Sequence, residues 1–224
     1  MELPENDIPQ SSSPQVNYCL IGLIFLVYAW ELSLGPGLFK ATEILGFVPA
    51  RLTALLFHAH TAFSQALLPL FSSLFMHGNS THLLTNVLFL FIFGGKVEAI
   101  LGHGRYLVLF LVGGIGANLI YFSFAPSSTI PLIGASGAIA GVMAAYFSLF
   151  PRQRFITLFI IVWVVLQFLY GIHAAVNHLV GTSGMAWWAH VGGFLLGLVL
   201  IRFLAPPGVG LIPLLSGRKK SSDH

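Results

Sequence analysis

An all-α polytopic membrane protein is the fold class this sequence predicts, and three observations predict it. Hydrophobic residues make up 56% of the 224 and charged residues only 8%, against roughly 25% charged in ordinary soluble domains. A chain of that composition cannot cover itself with a polar surface. Six apolar stretches recur along it, close to the number that its length allows at roughly 20 residues per span. The basic residues sit at the ends of these stretches rather than gathering on one face, so they speak for membrane orientation and not for nucleic acid. The runs lack period-two alternation, and an open sheet cannot exist in hydrocarbon, so each is read as a helix.

Residues 1–15 are polar and acidic, with Glu2, Glu5, Asp7 and a serine run, and lack the basic start of a signal peptide. They predict a flexible cytoplasmic tail followed by a retained span. The spans run from Val16 to Leu34, His82 to Gly102, Tyr106 to Phe124, Ser136 to Phe150, Phe155 to Ala175 and Met185 to Leu204. A membrane domain over residues 16–205 is thus followed by a basic cytoplasmic tail, 206–224. Between the first two spans, Ser33 to Thr81 is long and semi-apolar. Its stretch Phe63 to Met76 is too short to cross and contains Pro69, which predicts an interfacial or partly inserted outer loop.

Six spans put both ends on one side. Lys96, Arg105, Arg152, Arg154, Arg202, Arg218, Lys219 and Lys220 all fall on that side, leaving Lys40 and Arg51 opposite. Positive residues stay in the cytoplasm, so both termini are expected inside. Tyr28, Trp30, Trp187 and Trp188 fit an outer aromatic belt and are assigned no chemistry. The lone Cys19, in an apolar setting, reads as packing material and excludes an intrachain disulfide.

The fourth span is the informative one. From Ser136 to Phe150 it offers about 22 Å of helix against a hydrocarbon core of about 30 Å. With its inner end fixed by Arg152 and Arg154, Ser136 stops below the outer surface. His190 lies about 18 Å along its helix from Arg202, and Ser136 about 24 Å from Arg152, so both fall in the outer half of the bilayer. Ser136, Ala140 and Ala144 share one stripe, and His190, Gly193 and Gly197 another; small residues below each polar group let the two helices approach.

A buried serine usually bonds its own backbone, and a lone membrane histidine is usually structural. Together they suggest nucleophilic catalysis, with Ser136 as nucleophile and His190 as general base. The oxyanion formed on attack needs donors. His82 and Asn86, at i and i+4 on the second span, and the Ser136 backbone amide, freed by the turn at Gly134, are the candidates. His58, His60, His77, His173 and His178 lie elsewhere on the outer side, and His103 and His224 read as solvent-facing on the inner side. Without a His-Glu-x-x-His run, no metal and no cofactor is expected.

Met76-His77-Gly78 and His82-x-x-x-Asn86 at the second span, Gly94-Gly95-Lys96-Val97-Glu98 with Gly102 at its end, Gly134-Ala135-Ser136-Gly137 at the fourth, and Ala189-His190-x-Gly192-Gly193-x-x-x-Gly197 in the sixth resemble the rhomboid family of intramembrane serine proteases. The resemblance implies a six transmembrane helix, rhomboid-like bundle with a partly membrane-inserted first outer loop. It implies a Ser136–His190 dyad without an acidic third member, and single-span membrane-protein substrates cut near their outer end within the lipid bilayer. Two positions depart from the pattern: Arg51 follows Ala50 where many relatives carry Trp-Arg, and Ala140 stands where some carry an aromatic that stacks on the histidine. The small size, the bare six-span core and the lack of a targeting segment point to a bacterial plasma membrane. Two other functions fit the composition: a catalytically inactive relative that binds membrane proteins, and a small transporter. The chain keeps both serine and histidine, against the first, and shows neither internal repeat nor buried acid–base pairs, against the second.

Overall fold

The computed structural model describes residues 13–57, 62–177, 179–180 and 186–211. Both terminal tails expected from the sequence, apart from their residues nearest the membrane domain, lie outside the described residues. So do His58, His60, His178, His224, Arg218, Lys219, Lys220 and the start of the sixth span at Met185. The regular structure of the described residues is helical, apart from one isolated bridge.

Helices α1 (Gln15–Ser33), α5 with its continuation α6 (Ser80–Leu101), α7 (His103–Phe124), α9 (Arg154–Val176) and α10 (Trp187–Leu204) are long and apolar enough to cross a membrane. A shorter apolar helix, α8 (Ser136–Leu149), completes the bundle. The chain is a multi-pass integral membrane protein built as a bundle of helices.

α8 occupies the centre. From Gly137 to Tyr146 every side is buried, with α7 and α10 as its main neighbours. Its glycines and alanines make that possible, because in lipid the helices gain packing only where backbones come close. A Cβ on Gly197 would lie 2.5 Å from the Gly141 carbonyl oxygen, and one on Gly193 would meet that of Gly137. The Gly193/Gly197 seam of α10 therefore rests directly on the Gly137/Gly141 seam of α8.

The second span is continuous but not uniform. Residues Ser80–Phe89 form α5, Leu90–Gly94 a π-helical turn, and Gly95–Leu101 form α6. The Asn17 carboxamide donates to the Leu90 carbonyl at the head of this wider turn, at 3.1 Å. Asn17 also accepts from the Tyr106 hydroxyl at 2.7 Å. Buried Glu98 accepts the first backbone N–H groups of α1, those of Val16 and Asn17, at 2.9 and 2.8 Å. A carboxylate there answers the unpaired donors and the positive end of the helix dipole. His103 is bonded to the same carboxylate, so it is not simply solvent-facing as the sequence suggested.

Three further expectations are corrected. The long first outer region is largely helical: α2 (Leu38–Leu45), α3 (Pro49–Phe57) and α4 (Phe63–Ser72), the last followed by a 3₁₀ turn Ser73–Phe75. Each helix is too short to announce itself by periodicity. Phe47, Leu52 and Leu70 form a small core of their own, while Phe39, Ile44, Leu56, Phe57 and Phe63 stay exposed. Cys19 is exposed on α1 rather than packed inside; in a helix apolar on every side, an apolar setting does not distinguish core from lipid. Tyr28 is no surface anchor either, being buried with its hydroxyl 2.8 Å from Ser80 Oγ.

Candidate active site

The loop before α8 is tied to the outer helices at several points. Phe47 and Leu132 exchange both backbone hydrogen bonds, at 2.9 and 2.8 Å, and the Ala50 N–H donates to the Ser128 carbonyl at 2.9 Å. The Gly134 N–H donates to the Ser73 carbonyl at 2.8 Å. Ser73 is itself fixed by α7, whose Asn118 carboxamide donates to Ser73 Oγ at 3.0 Å and to the Leu70 carbonyl at 3.1 Å. Gly134 has φ 115°, a conformation that L side chains rarely adopt. A Cβ there would also lie 2.5 Å from both Cε1 and Nε2 of His82. Glycine at 134 thus permits the turn that starts α8 at Ser136 and lets His82 close against it.

Ser136 Oγ lies 2.8 Å from His190 Nε2. On its other side, His190 Nδ1 lies 2.6 Å from Gln167 Oε1 of α9. A carboxamide oxygen only accepts, so with this arrangement Nδ1 carries the proton and Nε2 is left to accept from the serine hydroxyl. The imidazole is also walled by aromatics: the Trp163 ring is 5.7 Å away and the Trp187 ring 6.4 Å, edge-on. Trp187 stacks on Tyr170 at 4.9 Å and Trp188 on Phe124 at 4.1 Å. Trp187 packs beside the histidine and Trp188 against α7 and α9, so the sequence reading of these two as belt anchors alone is incomplete.

His82 enters from the start of α5, whose first turn is capped by Asn79 Oδ1 accepting the His82 N–H at 2.9 Å. Its ring Nδ1 donates to the His77 carbonyl at 3.0 Å, which turns Nε2 toward Gly134. Asn86 is buried one turn on, and its carboxamide donates to the His82 carbonyl at 3.0 Å. The structure therefore gathers Ser136, His190, His82 and Gly134 at one place, with Asn86 on the adjoining turn of the helix that carries His82. His173, exposed at the end of α9, stands apart and bonds Asn177. Among the described residues, no three His, Cys, Asp or Glu side chains group as metal ligands would.

Behind His82 lies a clamp that motif reading did not expose. Glu31, 1% exposed near the C-terminal end of α1, accepts the His77 N–H at 2.9 Å and the Gly78 N–H at 3.1 Å. The His77 ring is fully buried, donates from Nδ1 to the Phe75 carbonyl at 3.1 Å, and sits 5.1 Å from the His82 ring. Burial, with a smaller contribution from His82 nearby, lowers the His77 pKa to about 4. In the unfolded chain the imidazole protonates near its ordinary value of about 6.5. The unfolded state therefore binds more protons between those two values, and stability should fall as pH drops from about 6.5 towards 4, by about 3 kcal/mol in all. Denaturant unfolding in detergent across that range should show the loss, and His77→Asn should flatten it; an unchanged slope in the variant would contradict the assignment.

A family model described as the Rhomboid domain matches residues 64–207. The chain belongs to the rhomboid family. The rhomboid protease GluP of Bacillus subtilis is 30% identical over 207 residues, covering 90% of this chain and 37% of that protein. The presenilin-associated rhomboid-like protein A, mitochondrial, of Danio rerio is 29% identical over 156 residues, 66% of this chain and 40% of that one. The rhomboid protease AarA of Providencia stuartii is 28% identical over 164 residues, 60% of this chain and 55% of that one. The chain thus aligns with between about a third and just over half the length of these rhomboid relatives.

Within this rhomboid fold, a second residue that the motifs do not mark is Gln167. Its signal was present: it is the one carboxamide in the apolar run of α9, where a polar group needs an internal partner. Ala140, at the position where some relatives carry an aromatic, is fully buried within α8, and the rings beside His190 come from α9 and α10 instead.

Proposed function

We propose that this chain is an intramembrane serine endopeptidase that hydrolyses peptide bonds within or next to the helices of single-span membrane proteins, near the non-cytoplasmic side of the bilayer. The observation that carries this is the 2.8 Å approach of Ser136 Oγ to His190 Nε2, with the opposite ring nitrogen occupied by Gln167. A serine hydroxyl is a weak nucleophile until a base within hydrogen-bond reach takes its proton.

In the proposed reaction His190 Nε2 takes the proton as Ser136 Oγ bonds to the scissile carbonyl carbon. The resulting oxyanion is stabilised by the Ser136 amide, Asn86 and His82, and His190 returns the proton to the leaving amine. Water then hydrolyses the acyl-enzyme. His82 differs from the other two donors. With Nδ1 donating to the His77 carbonyl, its Nε2 donates only when the ring carries a second proton, whereas the amide and the Asn86 carboxamide donate in either state. No metal or cofactor enters any step.

The chain is further proposed to reside in a bacterial plasma membrane with both termini cytoplasmic, from the distribution of its basic residues. The domain is taken as residues 16–205 between two cytoplasmic tails. The test is to incubate the purified protein in detergent with a single-span reporter whose helix carries small residues near its outer end. Cleavage by the wild type and none by Ser136→Ala is expected. Equal cleavage by both would sink the proposal, and binding without cleavage would favour an inactive, membrane-protein-binding relative.

A further inference from the structure

We infer that Gln167 is the positioning residue for His190, doing through a neutral carboxamide what a buried carboxylate does in a three-membered catalytic array. The inference rests on the protease function proposed above and adds a residue to it. Three observations carry it.

The first is the distance: Gln167 Oε1 is 2.6 Å from His190 Nδ1, on the side of the ring opposite Ser136. A neutral imidazole has one proton to place, and only the form protonated at Nδ1 leaves Nε2 with the lone pair that removes the serine proton. An acceptor fixed at Nδ1 selects that form. The reversed carboxamide would donate to Nδ1, place the proton on Nε2, and leave no base facing Ser136.

The second is where the side chain comes from. α9 presents most of its surface outward, with Leu158, Phe159, Ile161, Val162, Val165 and Leu166 exposed. Its buried residues are Ile160, Gln167, Gly171 and Ala174. A carboxamide on such a helix is costly in hydrocarbon unless it faces inward to a partner. Gly171, one turn on, is where the Trp188 ring rests, 3.1 Å from the place a Cβ would occupy, so α9 lies close against α10 at this level.

The third is what the site otherwise lacks. Glu98 and Glu31 are the buried carboxylates among the described residues. Both serve backbone donors elsewhere: Glu98 those of α1, Glu31 those of His77 and Gly78. The Trp163 and Trp187 rings limit how far the imidazole can tilt, but neither indole accepts a proton from Nδ1. Orientation by aromatic packing and choice of tautomer by Gln167 are therefore separate tasks.

The experiment compares wild type, Gln167→Met, Gln167→Glu and Ser136→Ala on the single-span reporter in detergent. Met keeps the length and loses the strong acceptor, whereas Glu keeps an acceptor in the same place. For Met, kcat should fall about 10- to 100-fold with KM within about twofold, and labelling of Ser136 by a fluorophosphonate probe should slow in proportion. Glu should restore kcat to within a few-fold of wild type. A second measurement does not depend on the Gln167 variants folding: imidazole ¹⁵N resonances of wild type, assigned by their loss in His190→Ala, should show His190 protonated at Nδ1 when neutral. Wild-type kcat in the Met variant, equal loss in Met and Glu, or a proton on Nε2 would overturn the inference. Wild type cleaving no better than Ser136→Ala would instead overturn the protease function on which it rests.

Discussion

Replacing His190 with alanine is expected to lower turnover of a membrane-protein substrate by about 10⁴-fold or more while leaving the protein folded. The magnitude follows from what the imidazole does in the proposed reaction: it takes the serine proton, holds it, and returns it to the leaving amine, and serine and base lose most of their value together when either is removed. Ser136→Ala should therefore be about as severe, and the double variant no worse than either single one. That non-additivity separates a catalytic pair from two residues that merely support the fold, whose effects would sum. Stability should change little, because His190 is only partly buried and the contact of α8 with α10 is carried by Gly137, Gly141, Gly193 and Gly197. The check is steady-state kinetics of the three variants beside their unfolding midpoints; multiplicative losses in the double variant would contradict the pair.

The second large effect is expected at Glu31. Alanine there would strip the acceptor from the His77 and Gly78 N–H groups, both held at about 3 Å by a carboxylate that is 1% exposed. His77 is fully buried, so its orphaned N–H costs about 1–3 kcal/mol, whereas exposed Gly78 can turn its N–H to water; a loss of about 1–3 kcal/mol is expected for Glu31→Ala. Glu31→Gln keeps an acceptor oxygen and should lose less than half of that. The change should also reach the site, because the His77 carbonyl receives His82 Nδ1 and so sets where Nε2 points. Unfolding in detergent measures the first effect and kcat the second. Wild-type stability in Glu31→Ala would show that the clamp is not what holds the segment from Phe75 to Asn79.

The parts of the site legible in the sequence are those that local chemistry marks. Ser136 follows a Gly-Ala turn at the start of a helix too short to cross a bilayer, and His190 heads a stripe of small residues, so the sequence itself sets their depth and face. His82 and Asn86 announced themselves by helical spacing. Residues acting across long sequence separations were not legible from motifs. Gln167 reaches His190 from 23 positions away and Glu31 reaches His77 from 46; each partner is set by how helices pack. The outer region between α1 and α5 was obscured for a different reason. Its helices are short, one carries Pro69, and their order depends on tertiary ties such as the Phe47–Leu132 pair and the Ser72 hydroxyl donating to the Leu45 carbonyl at 2.7 Å. Burial was the least readable property. In a membrane helix apolar on every side, hydrophobicity does not say which face meets lipid, which is why Cys19 and Tyr28 were each assigned to the wrong environment.

The proposed function turns on a serine made nucleophilic by one histidine inside a membrane bundle. Mass spectrometry of the purified protein after reaction with a fluorophosphonate probe examines that directly. A single covalent adduct on the peptide containing Ser136, present in wild type and lost in His190→Ala, is expected. Absence of the adduct from wild type, or equal labelling of the His190→Ala protein, would contradict it.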